Sequence, residues 1–203
     1  MSSSISGGSP PETDEARRRR GRRVALLILA LCALPTVAAW LAYFVWQPQA
    51  RANYGELIEP QRLRDPELRL VDGRPFRLSQ LRGKWVMLHI DSGACTEWCR
   101  KKLLYMRQAR LAQGKAMARV ERVWLVADPV APEEALSREF EGTRIARAEG
   151  SAVLAEFPAV RSRTDHIYVV DPLGNLMLRF PADPDPRRIV KDLARLLRAS
   201  RIG

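Results

Sequence analysis

KWVMLHIDSGACTEWCRKK, residues Lys84–Lys102, carries the pattern that decides the fold. Lys84 to Asp91 is a near-continuous apolar run of strand length, which predicts a strand buried on both faces of a sheet. From Cys99 to Gln113, Leu103, Leu104, Met106 and Leu111, with Tyr105, give an amphipathic helix. Two of the chain's three cysteines, Cys95 and Cys99, therefore fall between the end of a buried strand and the start of a helix.

The same two periods continue on either side. Upstream, Leu68–Lys84 reads as a short strand, an Asp72-Gly73 turn, a second short strand and a Ser79-led turn. Downstream, Arg119–Asp128 predicts a second buried strand, and 131–142 a helix with Pro132 in its first turn. Arg144–Ala148 is expected as an edge strand and Ser151–Phe157 as a short helix. His166–Pro181 predicts a hairpin around Asp171-Pro172-Leu173-Gly174. A basic amphipathic helix, Pro186–Ser200, follows, with Ile189, Leu193, Leu196 and Leu197 on one face. Strands alternating with helices imply an α/β sheet with helices on both faces. Such sheets work at the carboxyl ends of their parallel strands, and the cysteine loop occupies that location.

Ahead of this lies a different kind of segment. Val24–Trp46 is 23 residues without a charge, and Arg17–Arg23 packs six arginines immediately before it. About 20 apolar residues suffice to cross a bilayer. The charge asymmetry predicts a cytoplasmic N-terminus and an exported C-terminal part. The run exceeds a signal-peptide core, and Tyr43, Phe44 and Trp46 give its exit an interfacial aromatic belt rather than a cleavage site. Cys32, inside the span, reads as a packing or lipid-facing residue. The expected organisation is a disordered basic tail at 1–23, a transmembrane helix at 24–46, a stalk at 47–67 and a folded domain at 68–203. Of the net charge of +11, residues 1–23 supply +3 and residues 47–203 the other +8. Beside a membrane, that surplus suits anionic headgroups or an acidic partner. Its scattered distribution, without an aromatic-rich motif, argues against nucleic acid.

Export places the two cysteines in an oxidising compartment. Two are too few to staple a domain of this size, so chemistry is expected of them. Four apart on a helix they share a face, at a Cα separation within the roughly 4.4–6.8 Å that a disulfide accepts. Dithiol and disulfide can then interconvert without large backbone movement. The helix N-terminus and Arg100, Lys101 and Lys102 favour a thiolate, opposed weakly by Glu97. Cys95 is expected as the exposed nucleophile and Cys99 as the resolving thiol. Two thiolates with an imidazole also suit a soft ion such as Cu(I), or zinc where a fourth ligand joins them. Of the two histidines, His89 points away from Leu88 and Ile90 and reads as a packed core residue, while His166 opens the hairpin. A thioredoxin-type reductant would use Cys-x-x-Cys, and a thiol peroxidase a proline just before its cysteine; neither is present at this loop.

Together, VDGRPFRLSQLRGKW, LHIDSGACTEWC and DHIYVVDPLGN resemble the thioredoxin-like superfamily, over residues 68–198. Within it, the chain is most similar to the Sco/SenC-type copper chaperones of cytochrome c oxidase assembly. The resemblance implies a thioredoxin-like fold, a central mixed sheet flanked by helices, behind a membrane anchor. It makes Cys95 and Cys99 the redox or copper-binding pair and His166, in Asp165-His166, the third copper ligand. The chain departs from that family at Thr96 and Arg100, where proline is usual. Its Asp-His pair also stands about three residues nearer the hairpin turn, an odd offset that in a strand turns a side chain to the other face. The expected function is that of a thiol–disulfide protein in oxidase biogenesis. It would sit in a bacterial inner membrane with its domain in the periplasm, serving an oxidase subunit or a copper-assembly factor. Cu(I) carriage by Cys95, Cys99 and His166, or a non-catalytic assembly scaffold, are the alternatives.

Overall fold

The computed structural model describes residues 14–45 and 53–200, and the chain divides into two compact units, 1–50 and 51–203. The first holds one helix, α1 (Asp14–Val45), with Pro35 inside it. From Arg18 to Ala42 it is long and apolar enough to cross a membrane, and its side chains there are exposed. Helix begins at Asp14, so the arginine run forms its first turns rather than part of an irregular tail. Residues 1–13, and the side chains of the aromatic exit at Tyr43, Phe44 and Trp46, lie outside the described residues. Cys32 is exposed and free.

The second unit is built on one mixed sheet. Its strands are β1 (Glu56–Arg62), β2 (Leu68–Leu70), β3 (Pro75–Phe76), β4 (Trp85–Asp91), β5 (Val120–Val126), β6 (Thr143–Arg147), β7 (Ile167–Val170) and β8 (Asn175–Arg179). They lie in the order β1-β8-β7-β4-β5-β6-β2-β3. β4, β5 and β6 run parallel, and the remaining pairings are antiparallel. The α-helices are α2 (Glu97–Leu111), α3 (Glu134–Glu139) and α4 (Pro186–Ala199).

Every residue of β4 is buried, as its composition predicts. Alternation divides it between two cores. Trp85 and Met87 pack with Leu103 and Met106 of α2, Leu136 of α3, and Ile189 and Leu193 of α4. Val86, Leu88 and Ile90 point the other way, towards Phe76, Leu81, Val153 and Phe157. The three helices thus share one face, and 3-10 turns at Leu78–Leu81 and Ala152–Glu156 cover the other. Helices on both faces were expected. The two parallel crossovers, through α2 and α3, step across the sheet in the same direction, and one handedness then puts both on one side.

Two strands differ from expectation. Residues 56–62, expected within the stalk, form β1 and pair with β8 through Glu56↔Arg179 and Leu57↔Leu178. Pro60 falls where the register shifts, and most of the strand is exposed, so neither apolar alternation nor continuity announces it. β6 is not an edge, because β2 pairs along its outer side. In α2, Leu104 and Leu111 are exposed, and the buried face is Cys99, Lys102, Leu103, Met106 and Ala109.

One polar group ties the start of the domain to its last helix. Asp192 of α4 is buried, and its Oδ2 accepts the backbone N–H groups of Tyr54 at 2.6 Å and Gly55 at 2.8 Å. Arg188 lies over the Tyr54 ring at 3.9 Å. Asp192→Ala strands both N–H donors and is expected to cost about 2 kcal/mol of domain stability. Asp192→Asn, which keeps an acceptor, should cost less. Urea unfolding of the detergent-solubilised chain, followed by tryptophan fluorescence, measures both; an unchanged midpoint in the alanine variant would show the tether to be dispensable.

Candidate functional site

β4 ends at Asp91, and residues 92–96 turn the chain into α2. Ser92 organises the turn: its hydroxyl accepts the Ala94 N–H at 3.1 Å and its carbonyl the Cys95 N–H at 3.1 Å. Gly93 donates its N–H to Asp128 Oδ1 at 2.9 Å, just beyond β5. That bond first, and the Ser92 hydroxyl second, hold the Asp128 carboxyl below the ordinary carboxylate range. A Cβ on Gly93 would run into the Val130 carbonyl, so the close approach of these two loops requires glycine. Cys95 then adopts φ +39°, the one left-handed non-glycine residue among those described. Such a conformation persists only where its surroundings fix it, and here the Ser92 and Gly93 contacts do so.

Cys95 and Cys99 are joined in a disulfide with Cα atoms 5.1 Å apart. Both are buried, with 5% of Cys95 and 0% of Cys99 exposed. This corrects the expectation of an openly exposed Cys95, although the surface that remains is on that residue. The burial follows from packing, since both sulfurs join the helix-covered core with Met87, Leu103 and Ile167. The three cations after Cys99 are drawn elsewhere. Arg100 pairs with Glu139 at 3.1 Å, Lys101 with Asp183 at 3.2 Å, and Lys102 Nζ donates to the Thr164 carbonyl at 2.6 Å. Burial lowers the Lys102 pKa, against the opposing pull of Asp91, Asp165 and Asp183.

The two histidines lie differently from expectation. His89 is buried, with Nδ1 3.0 Å from the His166 carbonyl oxygen and Nε2 3.2 Å from Asp91 Oδ2. Cys99 Sγ completes a group in which one donor atom each from His89, Asp91 and Cys99 lies within 4.8 Å of the others. It is the one such group of three among the described residues. His166 stands outside it. Its Nδ1 donates to the Phe180 carbonyl at 2.8 Å, its Nε2 is buried without a hydrogen-bond partner, and its ring packs against Tyr168 at 5.8 Å between centroids. Tyr168 belongs to the core on the other side of the sheet from the cysteines. The structure therefore joins Cys95 to Cys99 but does not bring His166 into the group.

His89 as a site residue, and Asp91 altogether, escaped the sequence reading. A signal was present: residues two apart on a strand share a face, and His89 and Asp91 point where Cys99 arrives on its helix.

Residues 85–200 match the family model described as the transmembrane-like, thioredoxin-like, C-terminal domain. No curated protein matches. Among solved structures, copper-bound Sco1 of yeast superposes with a TM-score of 0.59 at 13% identity, covering 70% of this chain and 96% of that one. Copper-bound ScoI of Arabidopsis thaliana gives 0.56 at 16% identity, covering 69% and 100%. The thioredoxin domain of a thiol-disulfide oxidoreductase from Bacteroides vulgatus gives 0.51 at 16%, covering 70% and 99%. At these identities the likeness is one of fold, and it agrees with the mixed sheet and flanking helices described above. With more than half its length matched, the chain belongs to the transmembrane-like, thioredoxin-like C-terminal domain family.

Proposed function

We propose that this chain is a membrane-anchored thiol–disulfide protein of cytochrome c oxidase biogenesis, acting through Cys95 and Cys99. The observation that carries the reading is the closed disulfide at the carboxyl end of β4 and the first turn of α2, in a thioredoxin-like domain. The arginine-flanked apolar helix supports a single span at 24–46, with residues 1–23 in the cytoplasm of a bacterium and the domain in the periplasm. The partner is an oxidase subunit with copper-site cysteines, or a copper-assembly factor serving it.

The exchange follows from the burial of the sulfurs. A partner thiolate attacks Cys95, because Cys99 presents no surface. The Cys95–Cys99 bond breaks, Cys99 leaves as a thiolate that takes up a proton, and partner and Cys95 form a mixed disulfide. The partner's second thiolate then attacks its own sulfur in that bond and releases Cys95. The partner has lost two electrons and the pair has gained them. The reduced pair runs the same steps backwards against a partner disulfide, and the reduction potentials set the direction.

Cu(I) as cargo is the second reading. The copper-bound Sco structures share this fold, and the buried, unpartnered Nε2 of His166 is a free donor. The opened pair offers two thiolates suited to a soft ion. His166 fits as third ligand only if its ring leaves Tyr168, so the residues as arranged match a two-sulfur load better than a three-ligand one.

Two results are expected. Cys99→Ser in cells accumulates a mixed disulfide with the partner, visible on non-reducing gels, while Cys95→Ser does not. Normal oxidase assembly in both variants would instead favour a scaffold. In a thiol-trapping titration, Cu(I) protects both cysteines of the reduced chain at one ion per chain. Loss of that protection in His166→Ala would restore the third ligand, and no protection in the wild type would exclude copper cargo.

A further inference from the structure

His89 and Asp91 meet in a way that places a proton or a metal ion between them. His89 Nδ1 stands 3.0 Å from a carbonyl oxygen, that of His166, and must carry a hydrogen because a carbonyl only accepts. In the neutral ring Nε2 is then a lone pair, yet it lies 3.2 Å from Asp91 Oδ2, which is also an acceptor when ionised. Two buried acceptors hold that distance only with a proton or a metal ion between them. Asp91 is aimed for this contact, since its Oδ1 accepts the Ser92 N–H at 2.8 Å and leaves Oδ2 to the ring. The sulfur of Cys99 is the third donor, within 4.8 Å of both.

We infer that opening the disulfide turns His89 Nε2, Asp91 Oδ2 and Cys99 Sγ into a site for a borderline divalent cation of the zinc type, which shares Cys99 with the two-sulfur pair but does not use Cys95. Mixed nitrogen, oxygen and sulfur donors are what such an ion takes. Bonds of about 2.0 Å to N and O span a tetrahedral edge of about 3.3 Å, so the observed 3.2 Å already fits. A thiolate freed from Cys95 can swing about its own Cα–Cβ bond to close the third corner. The His89 Nδ1–H bond to a carbonyl is the orienting contact that metal-bound imidazoles keep. One carboxylate and one thiolate balance the ion's charge. Entry is past Asp91, whose side chain is 13% exposed where that of His89 is 0% exposed. While the disulfide stands, Cys99 has no thiolate to give, so the ion binds the reduced chain alone. This gating rests on the thiol-exchange reading; the ligand set does not.

Cobalt(II) is the probe, added to the full chain in detergent micelles. Cys95→Ser frees Cys99 without any reductant and removes the two-sulfur pair. It is expected to bind one Co²⁺ with a thiolate-to-cobalt charge-transfer band and tetrahedral visible bands. Reduced wild type should show the same bands and oxidised wild type none. Adding Asp91→Asn or His89→Gln to Cys95→Ser should weaken binding at least about ten-fold. Circular dichroism reports folding, and the near-isosteric Asp91→Asn decides if the histidine variant does not fold. Absence of the charge-transfer band in Cys95→Ser, or undiminished affinity in the Asp91 variant, would overturn the site. Because Cys95→Ser cannot exchange disulfides, cobalt binding by it stands or falls independently of the exchange reaction.

Discussion

The burial of β4 between β5 and β7 is the constraint on which the rest depends. All seven of its residues are buried, and its backbone is paired on both sides, in parallel with β5 and antiparallel with β7. A strand so placed must send alternate side chains into two separate cores, with no freedom of register, because a slip of one residue would exchange the cores. Trp85, Met87, His89 and Asp91 therefore share the helix-covered side. That side is also where the first turn of α2 delivers Cys99. The chemistry at the end of the strand follows from the packing along it.

The same burial explains why the sulfurs are less open than their position in the chain implies. The loop from Ser92 to Thr96 is short, pinned to Asp128 through Gly93, and pressed against the Val130 carbonyl. Within it Cys95 has a left-handed backbone, and its bond to Cys99 keeps the sulfur packed at the start of the helix. Under the proposed exchange, a partner meets the first turn of α2, where Trp98 is exposed beside Lys101 at 4.3 Å. An exposed aromatic ring with a cation over it gives such an approach both apolar area and a charge.

Much of this was legible in the chain. β4 and β5 are apolar runs of unmistakable strand length, the β7–β8 hairpin has its Asp171–Gly174 turn, and α4 keeps Ile189, Leu193 and Leu197 on one buried face. Those elements owe their form to hydrophobic burial, which leaves a period in the sequence. β1 owes its form to edge pairing with β8 and to the two N–H bonds into Asp192, and neither leaves a period. The cysteine pair could be read because its spacing is local. The His89–Asp91–Cys99 group is assembled across a strand and a helix, and only the shared face of His89 and Asp91 hinted at it. His166 shows both sides: the resemblance alone made it a ligand, while the odd offset of its Asp-His pair already pointed its ring to the other face, where it packs against Tyr168.

Sharing Cys99 between two groups has a consequence for how the domain can act. The sulfur is bonded to that of Cys95 and is the third member of the His89–Asp91 group. It cannot serve both at once, because a sulfur in a disulfide has no charge to give and a metal-bound thiolate is held from attack. An ion held by His89, Asp91 and Cys99 together is therefore coupled to the oxidation state of the pair. Binding of a cation by the reduced form alone stabilises that form by mass action. It must raise the reduction potential of the couple, making the disulfide easier to reduce and the dithiol a weaker reductant. Under the proposed exchange, the direction of electron flow through Cys95 then depends on the ions around the domain as well as on its partner.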